Sequence, residues 1–107
     1  MAFQDKSGAV WRAREITYGD AQRFAEQFGL DIFLAAESET QPRFIEQLNN
    51  PRKVVEVLHE LCLDDIQARD LTSAAFGQLV AECYPDAQAE LVRAIALFFP
   101  PQLRLRL

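Results

Sequence analysis

Residues 51–62 constrain the fold of this chain more than any other stretch. Val54, Val57, Leu58 and Leu61 recur at the three- and four-residue spacing that draws one stripe along a helix, with Val55 and Cys62 flanking it. Arg52, Lys53, Glu56 and Glu60 take the other side. An amphipathic helix of this kind must lay its stripe against something. A chain of 107 residues has material for one core, so the remaining segments have to supply the partner surface.

They do so with more helical spacing. Pro85 opens a last long helix with Leu91, Val92, Ile95, Phe98 and Phe99 on its apolar side. Pro100-Pro101 stops it, because proline lacks the amide donor and disfavours helix in the residue before it. Thr72 is an N-cap candidate for a helix carrying Phe76, Leu79, Val80 and Cys83 at i, i+3, i+4, i+7. Residues 64–70 read as a charged connection with a helical turn at Ile66.

Upstream, Thr17 is placed to cap a helix whose apolar side is Tyr18, Ala21, Phe24, Ala25 and Phe28. Asp20, Gln22, Arg23, Glu26 and Gln27 fall on its polar side, and Asp20 lies where a carboxylate favours a helix start. Gly29 suits a left-handed stop, with Leu30 making the hydrophobic contact that accompanies one. Asp31 caps a short helical piece over residues 32–36. Pro42 sits as a first-turn proline before Phe44, Ile45 and Leu48, and Asn49-Asn50-Pro51 is a break and restart. Ahead of the helices, Asp5-Lys6-Ser7-Gly8 is a turn cluster between arms 2–4 and 9–16, a β-hairpin. Its second arm puts Arg12 and Arg14 on one face and Trp11 and Ala13 on the other.

The expected fold is therefore mainly α and a single domain over residues 1–107. A β-hairpin occupies 1–16, a compact bundle of about five short helices 17–99, and an extended tail 100–107. Phe24, Phe28, Phe33, Phe44 and Phe76 are expected in the core. In the tail, leucines and arginines alternate from Leu103 to Leu107 with a period of two. Three readings fit that pattern: an edge strand packed back on the hairpin, a frayed end, or a docking strip for a partner. Phe98, Phe99, Leu103 and Leu105, with Arg104 and Arg106 alongside, are the candidate partner-binding residues.

The inventory for chemistry is thin. His59 is the single histidine, three residues before Cys62, with Cys83 and Asp65 as further conceivable ligands. Zinc sites usually carry paired ligands at short spacings, so no metal is expected. A nucleophilic serine or cysteine needs a base held by an orienting group, and the only imidazole is that of His59. Gly8, Gly19, Gly29 and Gly77 are isolated, so no phosphate-cradling loop is formed. Asp64 and Asp65 read as a solvated charged turn, without the alternating ligands of a calcium loop. No catalytic residue, cofactor or metal is expected.

Half of the residues are hydrophobic and a quarter charged, as in ordinary globular domains. The formal net charge of −5 argues against nucleic acid as a partner, since phosphate binding calls for clustered Lys and Arg. Charge is unevenly spread, basic at Lys6, Arg12 and Arg14, acidic from Asp64 through Asp70 and Glu82 to Glu90, and basic again at Arg93, Arg104 and Arg106. Residues 1–10 have no apolar signal core and no stretch reaches membrane-spanning length, so a cytoplasmic protein with reduced, buried Cys62 and Cys83 is expected.

The second half also carries a likeness. Asn50-Pro51, the helix through Val54 and Cys62, Leu71-Thr72 with Phe76-Gly77, and a helix ending Phe98-Phe99-Pro100 form one pattern. The hairpin with Trp11 and the helix ending Phe28-Gly29-Leu30-Asp31 fit it as well. It resembles the small tail assembly chaperones of tailed phages and prophages. That resemblance implies a helical, non-enzymatic protein that binds the tape measure protein during tail assembly, helps recruit tail-tube subunits and is absent from the finished virion. It brings no functional motif to carry over residue by residue. Self-association would suit a protein whose copies line a long client at modest affinity each. The alternative is a generic helical adaptor or regulatory protein that binds one defined protein.

Overall fold

A computed structural model describes residues 2–100. The hairpin forms around one carboxylate. Asp5 Oδ1 accepts from the Ser7 amide, the Ser7 hydroxyl and the Ala9 amide, and Asp5 Oδ2 accepts from the Trp11 indole at 3.0 Å. Gly8 completes the turn at φ +90°, a conformation that side chains with a Cβ rarely take. β1 (Phe3–Gln4) and β2 (Val10–Trp11) pair antiparallel, with Phe3 opposite Trp11.

These strands are shorter than the arms read from the sequence, and the reason is visible. Beyond Trp11 the backbone is taken up by helices instead of a strand. The Ala13 amide donates to the Glu90 carboxylate at 2.9 Å, and the Arg14 amide donates to the Leu61 carbonyl at 3.1 Å. The expected alternation holds along this arm, with Trp11 and Ala13 buried and Arg12 and Arg14 exposed.

α1 (Tyr18–Arg23) begins with a capping box. Thr17 Oγ1 accepts from the Asp20 amide, and the Asp20 carboxylate accepts from the Thr17 amide. The helix then widens into a π-helical turn, Phe24–Phe28, which Gly29 ends at φ +69°. Asp31 caps a 3-10 turn, Ile32–Ala36, by accepting from the Phe33 amide. α2 (Gln41–Leu48) has Pro42 in its first turn. α3 (Pro51–Leu61) is capped by Asn50, and its stripe Val54, Val57, Leu58 and Leu61 is buried as expected. α4 (Leu63–Ala68) extends the helical turn expected at Ile66 over most of the charged connection, and buried Ile66 anchors it. α5 (Ser73–Glu82) is capped by Thr72, which accepts from the Ala75 amide. α6 (Tyr84–Phe98) is the longest, and Phe99 leaves it in an extended conformation before the prolines.

The expected class therefore holds: a mainly helical globule opening on a small antiparallel hairpin. Its core joins both ends of the chain. Trp11 stacks near Phe3 and meets Phe76 edge-on at 5.3 Å, while the Arg69 guanidinium lies 3.9 Å over the indole. Phe24, Phe44 and Phe76 are fully buried. Phe28 is only half-buried, and Phe33, expected in the core, is 37% exposed. On α6 the buried face is Ala87, Glu90, Leu91, Ala94 and Ile95, leaving Val92 half-buried. Among the described residues, no helix is long and apolar enough to cross a membrane.

Candidate functional site

Buried carboxylates pin the hairpin arm. Glu90 is 1% exposed, yet it sits on the inward face of α6. Its charge is met by the Ala13 amide and by Arg93, whose Nε donates at 2.6 Å and whose Nη2 donates at 3.0 Å. Burying a carboxylate is tolerable only with such a set of donors. Hydrogen bonding to Glu90 raises the Arg93 pKa. Asp20 is the second buried carboxylate, although the sequence pattern places it on the polar side of α1. Arg14 donates to it at 2.6 Å and Arg23 at 2.8 Å, and Arg23 also reaches Glu60 at 3.3 Å. The Arg14 guanidinium, with the Thr17 amide and hydroxyl, holds the Asp20 carboxyl well below the usual carboxylate range. These contacts lock the arm between α6 and α1 and leave a groove of about 470 Å³, lined by Arg12, Arg14, Glu15, Arg93 and Leu97 among others.

At the end of α6 the pattern reverses, and apolar groups face outward. Tyr18 is 65% exposed and Leu97 48%. Tyr18 and Phe33 have ring centroids 5.6 Å apart, Phe33 and Phe98 5.9 Å, and Phe98 and Phe99 5.2 Å. Four rings from α1, the 3-10 turn and the end of α6 thus form one ladder. It passes from solvent at Tyr18 to the core at Phe99, which is 5% exposed. Aromatic pairs at these spacings hold one another in place while keeping their outer faces available.

The candidate residues from the sequence divide accordingly. Phe98 is half-buried within the ladder. Phe99 belongs to the core, so the Phe98-Phe99 pair presents Phe98 alone at the surface. Leu103, Arg104, Leu105 and Arg106 lie outside the described residues. Tyr18 and Phe33 were missed as surface residues, because their helical spacing reads as core. The signal for Tyr18 was its place directly after the N-cap Thr17, at a helix start that lies at the surface.

The reactive side chains are placed as follows. Cys62 is buried and its S–H points to the Arg12 carbonyl at 3.8 Å; burial pushes its thiol up to about 12, far from a reactive thiolate. Cys83 is half-buried, and burial raises its pKa too. Among the described residues, no three His, Cys, Asp or Glu side chains converge to hold a metal ion. His59 does meet one group that the sequence did not connect with it: Ser73 Oγ lies 3.1 Å from His59 Nε2.

Comparison with family models, with curated proteins and with solved structures found no match to this chain.

Proposed function

We propose that this protein works by contact and not by catalytic turnover, with Tyr18, Phe33 and Phe98 as its contact face. The aromatic ladder is the observation that carries this reading. Exposed aromatic rings on a pre-packed frame suit reversible association with apolar segments of another protein. The −5 net charge keeps such a face soluble at working concentrations. Following the likeness carried by the second half, the proposed client is a tape measure protein, bound in the host cytoplasm during tail assembly, with tail-tube subunits recruited alongside. No nucleic acid or membrane partner is part of this proposal.

Co-expression with a tape-measure-like protein tests it. The expected result is a client that becomes soluble and co-purifies with the chain. Unchanged client solubility with no co-purification removes the reading. A stable one-to-one complex with a protein unrelated to tails would support the adaptor alternative instead. Light scattering of the free protein reads the proposed self-association: a mass of one chain at high concentration, with and without client, speaks against it.

A further inference from the structure

The Ser73–His59 contact lies outside the ladder and uses none of its residues. Ser73 is the first residue of α5, and His59 projects from α3. Their reacting atoms are 3.1 Å apart, within reach for proton transfer. Phe76 holds the imidazole from another side, edge-on at 5.9 Å and 75°. The pair opens on a cleft of about 210 Å³ lined by Phe28, Val55, Glu56, His59, Glu60 and Ser73. Phe28 comes to this wall from the π-helical turn, a distortion found often at functional sites. Glu56 pairs with Arg52 and Glu60 with Arg23, both at 3.3 Å, and Arg23 is shared with Asp20.

We propose that Ser73 is a base-activated hydroxyl that accepts a short acyl group from a neutral activated ester. With the imidazole proton on Nδ1, Nε2 is free to take the Ser73 hydroxyl proton. Ser73 Oγ bonds to the acyl carbon, the bond from that carbon to the ester oxygen breaks, and the departing alkoxide leaves with its electron pair. The proton then passes from Nε2 to that alkoxide, so the products are acyl-Ser73 and an alcohol, with His59 restored. Phe28 and Val55 give the acyl chain an apolar wall, and the small volume suits acetyl to butyryl chains. Phe76 is the group that orients the imidazole. The proposal covers one acylation of Ser73, which goes beyond the contact reading without opposing it.

The test is 4-nitrophenyl acetate on the whole chain, with nitrophenolate release followed and the acetyl group located by peptide mass mapping. The chain has three serines, so Ser7 and Ser38 are internal controls. Acetylation is expected at Ser73 about a hundredfold faster than at Ser38, the scale of a positioned general base. His59→Gln should bring Ser73 down to the Ser38 rate at unchanged circular dichroism, and Ser73→Ala should abolish the burst. Butyrate esters should outpace decanoate esters. The proposal is overturned if Ser73 reacts no faster than Ser38, or if His59→Gln leaves its rate intact. It is equally overturned if Ser73→Ala keeps the full burst, which would assign the reaction to the imidazole or to lysines.

Discussion

The two ends of α6 treat side chains in opposite ways. In its middle, a carboxylate is buried among alanines, leucine and isoleucine; at its C-terminal end, Leu97 and Phe98 are left partly in water. The buried carboxylate contributes specificity. Glu90 can satisfy its oxygens only if Ala13 and Arg93 are both in place, so it fixes where the hairpin arm crosses the helix. The exposed rings contribute nothing comparable to the monomer. Their ladder is held in shape by ring-on-ring contacts and remains available to something else. A frame made rigid by a satisfied polar clamp carries a face with unspent apolar area.

This contrast makes graded predictions. Removing the clamp should cost most: Glu90→Ala leaves the Ala13 amide and the Arg93 guanidinium without their acceptor and should destabilise by about 3 kcal/mol, read by urea unfolding. A loss under about 1 kcal/mol would mean the clamp is dispensable. Next comes the other buried carboxylate. Asp20 has a folded pKa below its unfolded one, so its stabilisation is present above the unfolded carboxylate value of about 4 and fades as pH falls through the folded value. Unfolding free energy should therefore decline with acid below about pH 4, and Asp20→Asn should flatten that decline. An identical slope in wild type and Asp20→Asn would remove Asp20 from the account.

Smaller again is Gly29→Ala. It places a Cβ at φ +69° and 3.2 Å from Lys53 Nζ, and about 1 kcal/mol of lost stability is expected in the same unfolding assay. The smallest effect has the opposite sign. The Tyr84 hydroxyl is buried with no hydrogen-bond partner among the described residues, so Tyr84→Phe should be neutral or stabilising by up to about 1 kcal/mol. Destabilisation there would reveal a partner for that hydroxyl.

The capping signals were legible in the sequence because each acts within a few residues. Thr17, Asp31, Thr72 and the left-handed Gly29 all do what their local spacing suggests. The helix stripes of α3 and α5 were legible for the same reason, being properties of one segment. What the sequence hid depends on distant partners. Glu90 looks like an ordinary charged residue until Ala13, 77 positions away, donates to it. Asp20 reads as a solvated cap until Arg14 and Arg23 close over it. Phe33 has core spacing but sits on a short 3-10 turn at the surface, where Tyr18 and Phe98 are its neighbours. The Ser73–His59 pair likewise depends on how α3 and α5 pack, which no spacing within either helix encodes. Of the proposed contact face, Phe98 alone was named from the sequence.

The most direct test separates the face from the frame. Tyr18→Ser and Phe33→Ser are made together, and thermal unfolding is measured beside co-purification of a tape-measure-like client. A melting temperature close to wild type and a client that no longer co-purifies or stays soluble are expected. A double variant that keeps its client as wild type does would contradict the contact reading.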